Sequence, residues 1–171
     1  IGAAREVGCP VIVDPKGTDY RCYAGATLIT PNRRELQEAS RMPIDDDAAI
    51  IAAARHIADS CSIENILVTR SADGMTLVGG ADFTHRPADA RGVLDGSGAS
   101  DTVVATLAAS LAAGIALGDA AALANAAAGI VVGKIGTAVA YADDLEAAIA
   151  ARAAPRAAAE RTAPATVFGM S

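Results

Sequence analysis

The run Asp95-Gly96-Ser97-Gly98-Ala99-Ser100-Asp101-Thr102 carries the strongest chemical signal in the chain, because a long apolar stretch follows it directly. It reads as a glycine-containing turn that opens a helix. Backbone N–H groups at such a turn point outward, and the helix dipole adds positive character, which suits a phosphate or another oxyanion. A carboxylate at the mouth of an anion site repels phosphate, so Asp101 needs a reason to be there. One reason is proton removal from a substrate hydroxyl as that oxygen attacks a phosphoryl group held by the turn. The other is an ordinary helix start with an acid in its first turn, worth ~1 kcal/mol. Spacing alone leaves both open.

Two further places could bear on an anion. Asn32 and Glu35 have the spacing of a capping box at the start of a helix. The same two side chains, placed at a crevice, could hold a hydrated magnesium and the phosphates bound to it. Lys16, in the loop Pro15-Lys16-Gly17-Thr18-Asp19, either reaches an anionic group or is an ordinary solvated lysine. Asp45-Asp46-Asp47 matches a helix dipole more simply than it matches a metal. His56 and His85 each lack a Cys or His partner and read as surface residues.

The elements that must position these residues alternate between strand and helix. Pro10 to Asp14, Ala26 to Thr30 and Ile66 to Thr69 are short apolar runs of the kind found in buried parallel strands. Helices are expected from Pro31 to about Ser40, from Asp45 to about Cys61, from Asp101 to Ala113 and from Asp119 to Ile135, with Gly136 as a stop. A last amphipathic helix starts near Asp143. Asp73-Gly74 signals a hairpin turn, with Met75 to Val78 returning, a Gly79-Gly80 turn, and Asp82 to His85 following. Val93-Leu94 should feed the anion-binding turn. The first residues, to Gly8, read as the last turns of a helix and its glycine stop. This order predicts an α/β fold with a mostly parallel sheet and a small hairpin. Asn32–Glu35, Thr69–Gly74 and Gly98–Asp101 all follow strands, so they should converge on one edge of that sheet.

Composition narrows the class. At 171 residues, with 52% hydrophobic residues but no Trp, the chain can bury one core built largely from alanine and small aliphatic side chains. The net charge of −6 is interspersed, and no basic stripe suggests a nucleic-acid partner. Val103 to Gly118 is uncharged, but it is bounded by Asp101 and Asp119 and falls short of the ~20 residues of a membrane span. Cys9, Cys22 and Cys61 form an odd set with no metal-type spacing, the pattern of a reducing, cytoplasmic compartment.

With these elements in place the chain resembles the C-terminal half of a sugar kinase of the ribokinase (PfkB) family. Within that family it is most similar to kinases of D-glycero-β-D-manno-heptose 7-phosphate. The match is carried by Asp14-Pro15-Lys16-Gly17-Thr18-Asp19-Tyr20, Gly25-Ala26-Thr27-Leu28-Ile29-Thr30-Pro31-Asn32, Leu67-Val68-Thr69-Arg70-Ser71, and the segment from Asn125 to Thr137. The resemblance implies a ribokinase-like three-layer α/β/α fold, ATP and Mg2+ as cofactors, and a phosphorylated heptose as substrate. It implies transfer to the anomeric hydroxyl, in the synthesis of ADP-heptose for lipopolysaccharide core. Asp101 would be the catalytic base, with the backbone of Gly98, Ala99 and Ser100 as anion hole. Asn32, Arg33, Arg34 and Glu35 would bind nucleotide phosphate, with Asn32 and Glu35 holding magnesium through water. Thr69, Gly74, Asn125 and Gly129 would border the nucleotide, and Lys16 could contact phosphate.

The sequence departs from the family pattern in two ways. The family turn usually reads Asp-Thr/Val-x-Gly-Ala-Gly-Asp, whereas here Gly96 and Ser100 stand at the second and sixth places. A Cβ at residue 100 is expected to weaken turnover unless its φ is negative. Residues 1–153 are expected to form the C-terminal part of the kinase domain, without the N-terminal half and its lid, and 154–171 a loose tail. Homodimerisation would belong to a full-length protein, because the family usually pairs through the lid. The alternatives are a weak or inactive nucleotide-binding remnant, or a kinase of another sugar.

Overall fold

The computed structural model describes residues 1–88, 98–133 and 138–150. In chain order the elements are α1 (Gly2–Glu6), β1 (Ile12–Val13), β2 (Leu28–Ile29), α2 (Arg33–Ser40) and α3 (Asp47–Cys61). These are followed by β3 (Asn65–Thr69), β4 (Met75–Gly79), β5 (Asp82–Arg86), α4 (Ala99–Ala112) and α5 (Leu117–Val132). Short 3-10 turns occupy Tyr20–Tyr23 and Ser71–Asp73, and residues 142–150 are helical.

The strands form one mixed sheet in the order β1-β2-β3-β4-β5. β1, β2 and β3 are parallel, with Ile12 opposite Leu28 and Ile29 opposite Ile66. β4 and β5 continue the same sheet antiparallel, so the expected hairpin forms one flank of it. Alternation along the strands explains the layers. Ile29, Ile66, Val68 and Val78 face α2 and α3, where Leu36, Ile50, Ala53, Ala54 and Ile57 close one core. Leu28, Leu67 and Met75 face the other way and meet Val103 and Leu107 of α4 and Ala120, Ala121 and Ala124 of α5. Those alanines are fully buried. They let the helices approach closely, which answers to the alanine-rich composition.

Several sequence expectations shift in detail. The first two strands shrink to Ile12–Val13 and Leu28–Ile29. Their flanks still pair: Thr27 N–H donates to the Val11 carbonyl at 3.0 Å, and Thr30 N–H to that of Val13 at 3.0 Å. α4 begins at Ala99 rather than Asp101, and α5 spans Leu117–Val132 rather than Asp119 to Ile135. Asp73-Gly74 does not make a two-residue hairpin turn. Residues 70–74 form a wider connection in which Arg70 N–H donates to the Gly74 carbonyl at 2.8 Å, with Ser71 at φ 52°. His85 is exposed, as expected, but it has partners: its Nδ1 lies 3.2 Å from Arg70 Nη1 and 3.1 Å from Thr76 Oγ1. Val93-Leu94, Asp95 to Ser97, Gly136 and the tail after residue 153 lie outside the described residues. Among the described residues no helix is long and apolar enough to cross a membrane.

Candidate active site

A cavity of 420 Å3 opens at the C-terminal edge of the parallel strands. Asn32, three residues past the end of β2, and Thr69, the last residue of β3, are joined there by a parallel bridge. Asn32, Arg34, Thr69, Gly74, Ser100, Asn125 and Gly129 all line the cavity, together with Ala99. Segments far apart in the sequence therefore meet at one place, as the strand–helix order requires. Ser71, Ala72, Met75, Ala88, Val103, Ala128 and Val132 complete the wall. The helical members of that set were readable from spacing, since Val103 lies one turn from Ala99 and Ser100, and Ala128 and Val132 one turn from Asn125 and Gly129.

The helix starts around the cavity are not equivalent. α2 has a full capping box: Asn32 Oδ1 accepts from Glu35 N–H at 2.9 Å, and Glu35 Oε2 accepts from Asn32 N–H at 2.8 Å. α3 is capped by Asp46, whose Oδ1 accepts from Ala49 N–H at 2.7 Å. α4 starts on Gly98 at φ 77°, with no side-chain cap. Among the described residues no side chain caps its first N–H groups, and Ala99 and Ser100 place that end on the cavity. Asp101 is therefore not the cap of its own helix. It is exposed, and it faces the adjoining groove with Thr102, Ala105 and Thr106. The first turn of α4 thus separates two spaces, with Ser100 on one side and Asp101 on the other.

Other site residues are placed less directly. Glu35 does not line the cavity. Its Oε1 lies 3.7 Å from Lys16 Nζ, and Lys16 bonds Asp14 at 2.8 Å. The Asp14 hydrogen bond, with the nearby Glu35, raises the Lys16 pKa and keeps the ammonium charged. Arg33 turns away from the cavity, to Asp73 at 3.0 Å and the Ile44 carbonyl at 3.2 Å. Arg34 bonds Glu38 at 2.8 Å while lining the cavity. Asn125 is 3% exposed, and its Nδ2 donates to the Pro87 carbonyl at 2.8 Å. Among the described residues no group of three or more His, Cys, Asp or Glu side chains is arranged to hold a metal ion. One carboxylate beside one carboxamide fits a hydrated magnesium carried by phosphates, not an all-protein cage.

The expected strain at residue 100 does not arise. Ser100 lies in helical backbone within α4 and is absent from the positive-φ residues. Ser100→Gly should therefore leave turnover within about twofold and lower stability by less than ~1 kcal/mol. Steady-state kinetics and thermal melts would check this, and a large gain in turnover would mean the hydroxymethyl group obstructs the site.

Comparison with known proteins bears on the family and the fold of the chain. The family described as pfkB family carbohydrate kinase matches residues 1–144. The chain is 61% identical over 150 residues to the bifunctional protein HldE of Paramagnetospirillum magneticum, covering 87% of this chain and 31% of that protein. It is 54% identical over 150 residues to the bifunctional protein HldE of Rhodospirillum rubrum, covering 87% and 30%. The chain thus spans about a third of the length of these curated relatives. Among solved structures, Arabidopsis thaliana ribokinase complexed with ribose and ATP superposes with a TM-score of 0.78 at 23% identity, over 86% of this chain and 50% of that one. Escherichia coli phosphofructokinase-2 in complex with potassium gives 0.78 at 21%, over 89% and 50%. At these identities the structural likeness shows the ribokinase-like fold. The family match, which spans most of the sequence, goes further: the chain belongs to the pfkB family of carbohydrate kinases.

Proposed function

We propose that this chain carries the nucleotide side of an ATP-dependent sugar kinase site, whose acceptor is D-glycero-β-D-manno-heptose 7-phosphate. The observation that carries the reading is the uncapped start of α4, set between the cavity lined by Asn32, Thr69, Asn125 and Gly129 and the groove faced by Asp101. The high identity to the HldE proteins supports a heptose over other sugars.

In this reading ATP occupies the cavity, with its phosphates toward the start of α4. Asn32, Arg34 and Lys16 meet the phosphate charge, and Glu35 beside Asn32 supports a hydrated Mg2+, which would supply charge neutralisation between the phosphates. The acceptor hydroxyl approaches from the Asp101 side. Asp101 takes its proton as the oxygen forms a bond to the γ-phosphorus and the bond to the ADP oxygen breaks. The N–H groups of Gly98 to Asp101 stabilise the charge on the transferred group, which helps because they are already aimed. The product is the 1,7-bisphosphate, consistent with a place in ADP-heptose synthesis for lipopolysaccharide core.

Calorimetric titration of the chain with Mg-ATP, beside a coupled ADP-release assay with heptose 7-phosphate, tests the reading. Binding of Mg-ATP is expected at micromolar to millimolar concentration, as is common for enzyme substrates. Failure to bind would overturn the assignment. Binding without turnover, persisting when the N-terminal portion of a relative is supplied, would favour a nucleotide-binding remnant. Turnover with other sugars alone would move the substrate.

A further inference from the structure

The connection between β3 and β4 walls the cavity with Ser71, Ala72 and Gly74, and its conformation is not self-supporting. Ser71 sits at φ 52°, a left-handed backbone that is unfavourable for a residue with a Cβ. Something must hold it. The main chain contributes three bonds: Arg70 N–H donates to the Gly74 carbonyl at 2.8 Å, Asp73 N–H to the Arg70 carbonyl at 3.0 Å, and Gly74 N–H to the Ser71 carbonyl at 3.1 Å. Arg33 adds a bond to Asp73 at 3.0 Å, but both side chains are substantially exposed, so it is a weak tie.

The remaining hold is the Arg70 side chain, which the proposed chemistry does not use. Arg70 is only 8% exposed. Its Nη2 donates to Asp47 Oδ1 at 2.6 Å, and its Nη1 lies 3.1 Å from Thr76 Oγ1 and 3.2 Å from His85 Nδ1. Arginine only donates, so His85 accepts at Nδ1. One planar guanidinium therefore joins the first turn of α3, β4 and β5 behind the loop. Its Nε is buried with no partner among the described residues, and Asp47 is largely in solvent. A buried cation satisfied in this partial way is a poor source of stability, since desolvation offsets the pairing. Fixing geometry accounts better for its presence than holding the fold does.

We propose that Arg70 is a positioning residue that sets the 70–74 loop, through Asp47, Thr76 and His85, in the conformation that receives the nucleotide. The inference rests on the kinase reading of the cavity. Three variants of the 171-residue chain test it, by Mg-ATP titration and by amide hydrogen exchange at Asp73 and Gly74 without nucleotide. Arg70→Met should bind Mg-ATP about tenfold more weakly, the order expected when hydrogen bonds to a charged group are lost, with faster exchange at both amides. Arg70→Lys, which keeps charge toward Asp47 but loses the fork, should recover part of the affinity. His85→Ala, on an exposed strand, should weaken binding about threefold and gives a folded reporter should Arg70→Met fail to fold. A role confined to stability would lower the melting temperature of the variants and leave their affinity unchanged. Affinities within twofold of the parent with unaltered exchange would overturn the proposal while leaving the kinase reading intact. A parent chain that binds no Mg-ATP would overturn both.

Discussion

Replacing Asp101 by asparagine should reduce phosphoryl transfer by about 10³-fold, within the range for loss of a general base, while leaving Mg-ATP affinity nearly unchanged. The separation follows from the two faces of the first turn of α4. Ala99 and Ser100 line the nucleotide cavity, and Asp101 faces the adjoining groove. Asparagine preserves shape and removes the proton acceptor. The loss of a favourable charge at the start of a helix should cost only ~0.3–1 kcal/mol of stability, because Asp101 is exposed and is not the cap. Removing a negative charge near bound phosphate should if anything tighten the nucleotide. The check is a paired measurement of turnover and nucleotide dissociation constant, in the chain or in the chain joined to the N-terminal portion of a relative. Turnover within tenfold of the parent would remove Asp101 from the chemistry. Equal losses in binding and turnover would instead make it part of the nucleotide pocket.

The parts of this arrangement that sequence made legible are those encoded locally. Asn32 and Glu35 show how a local signal can bear two readings. The capping box forms, and Asn32 also lines the cavity, while Glu35 turns toward Lys16. The run Ile66 to Thr69 read as a buried strand and is one, apolar throughout because Leu67 enters one core and Ile66 and Val68 the other. The turn at Gly98 was visible in its glycine and the apolar run behind it. The Arg70 constellation was not legible, because Asp47 and His85 lie 23 and 15 residues from Arg70. No periodicity links them, and only strand pairing brings them together. For the same reason the Asp73-Gly74 pair misled. It is a turn signal by composition, but the Arg70 anchor and the contact with residues 86–88 impose a wider loop.

That contact makes Gly74 the most sensitive backbone position in the site. Gly74→Ala should lower stability by about 2–5 kcal/mol, from ~1–2 for a side chain at positive φ and ~1–3 for overpacking. At φ 85° its Cβ would run into the Arg86 carbonyl oxygen and come within 2.5 Å of Ala88 N and 2.6 Å of the Pro87 carbonyl carbon. These are backbone atoms, which cannot rotate away. Pro87 also accepts the Asn125 hydrogen bond at 2.8 Å, so a shift there would disturb a second wall of the cavity and weaken Mg-ATP binding as well. The expected fall in melting temperature is roughly 4–20 °C for a chain of this length. Gly80→Ala separates the two causes, because Gly80 has φ 55° but nothing lies within 4 Å of where its Cβ would stand. It should lose only the ~1–2 kcal/mol of backbone strain and keep its nucleotide affinity. Equal losses in the two variants would mean that the 86–88 segment yields freely, and that the packing of Gly74 against it does not shape the cavity.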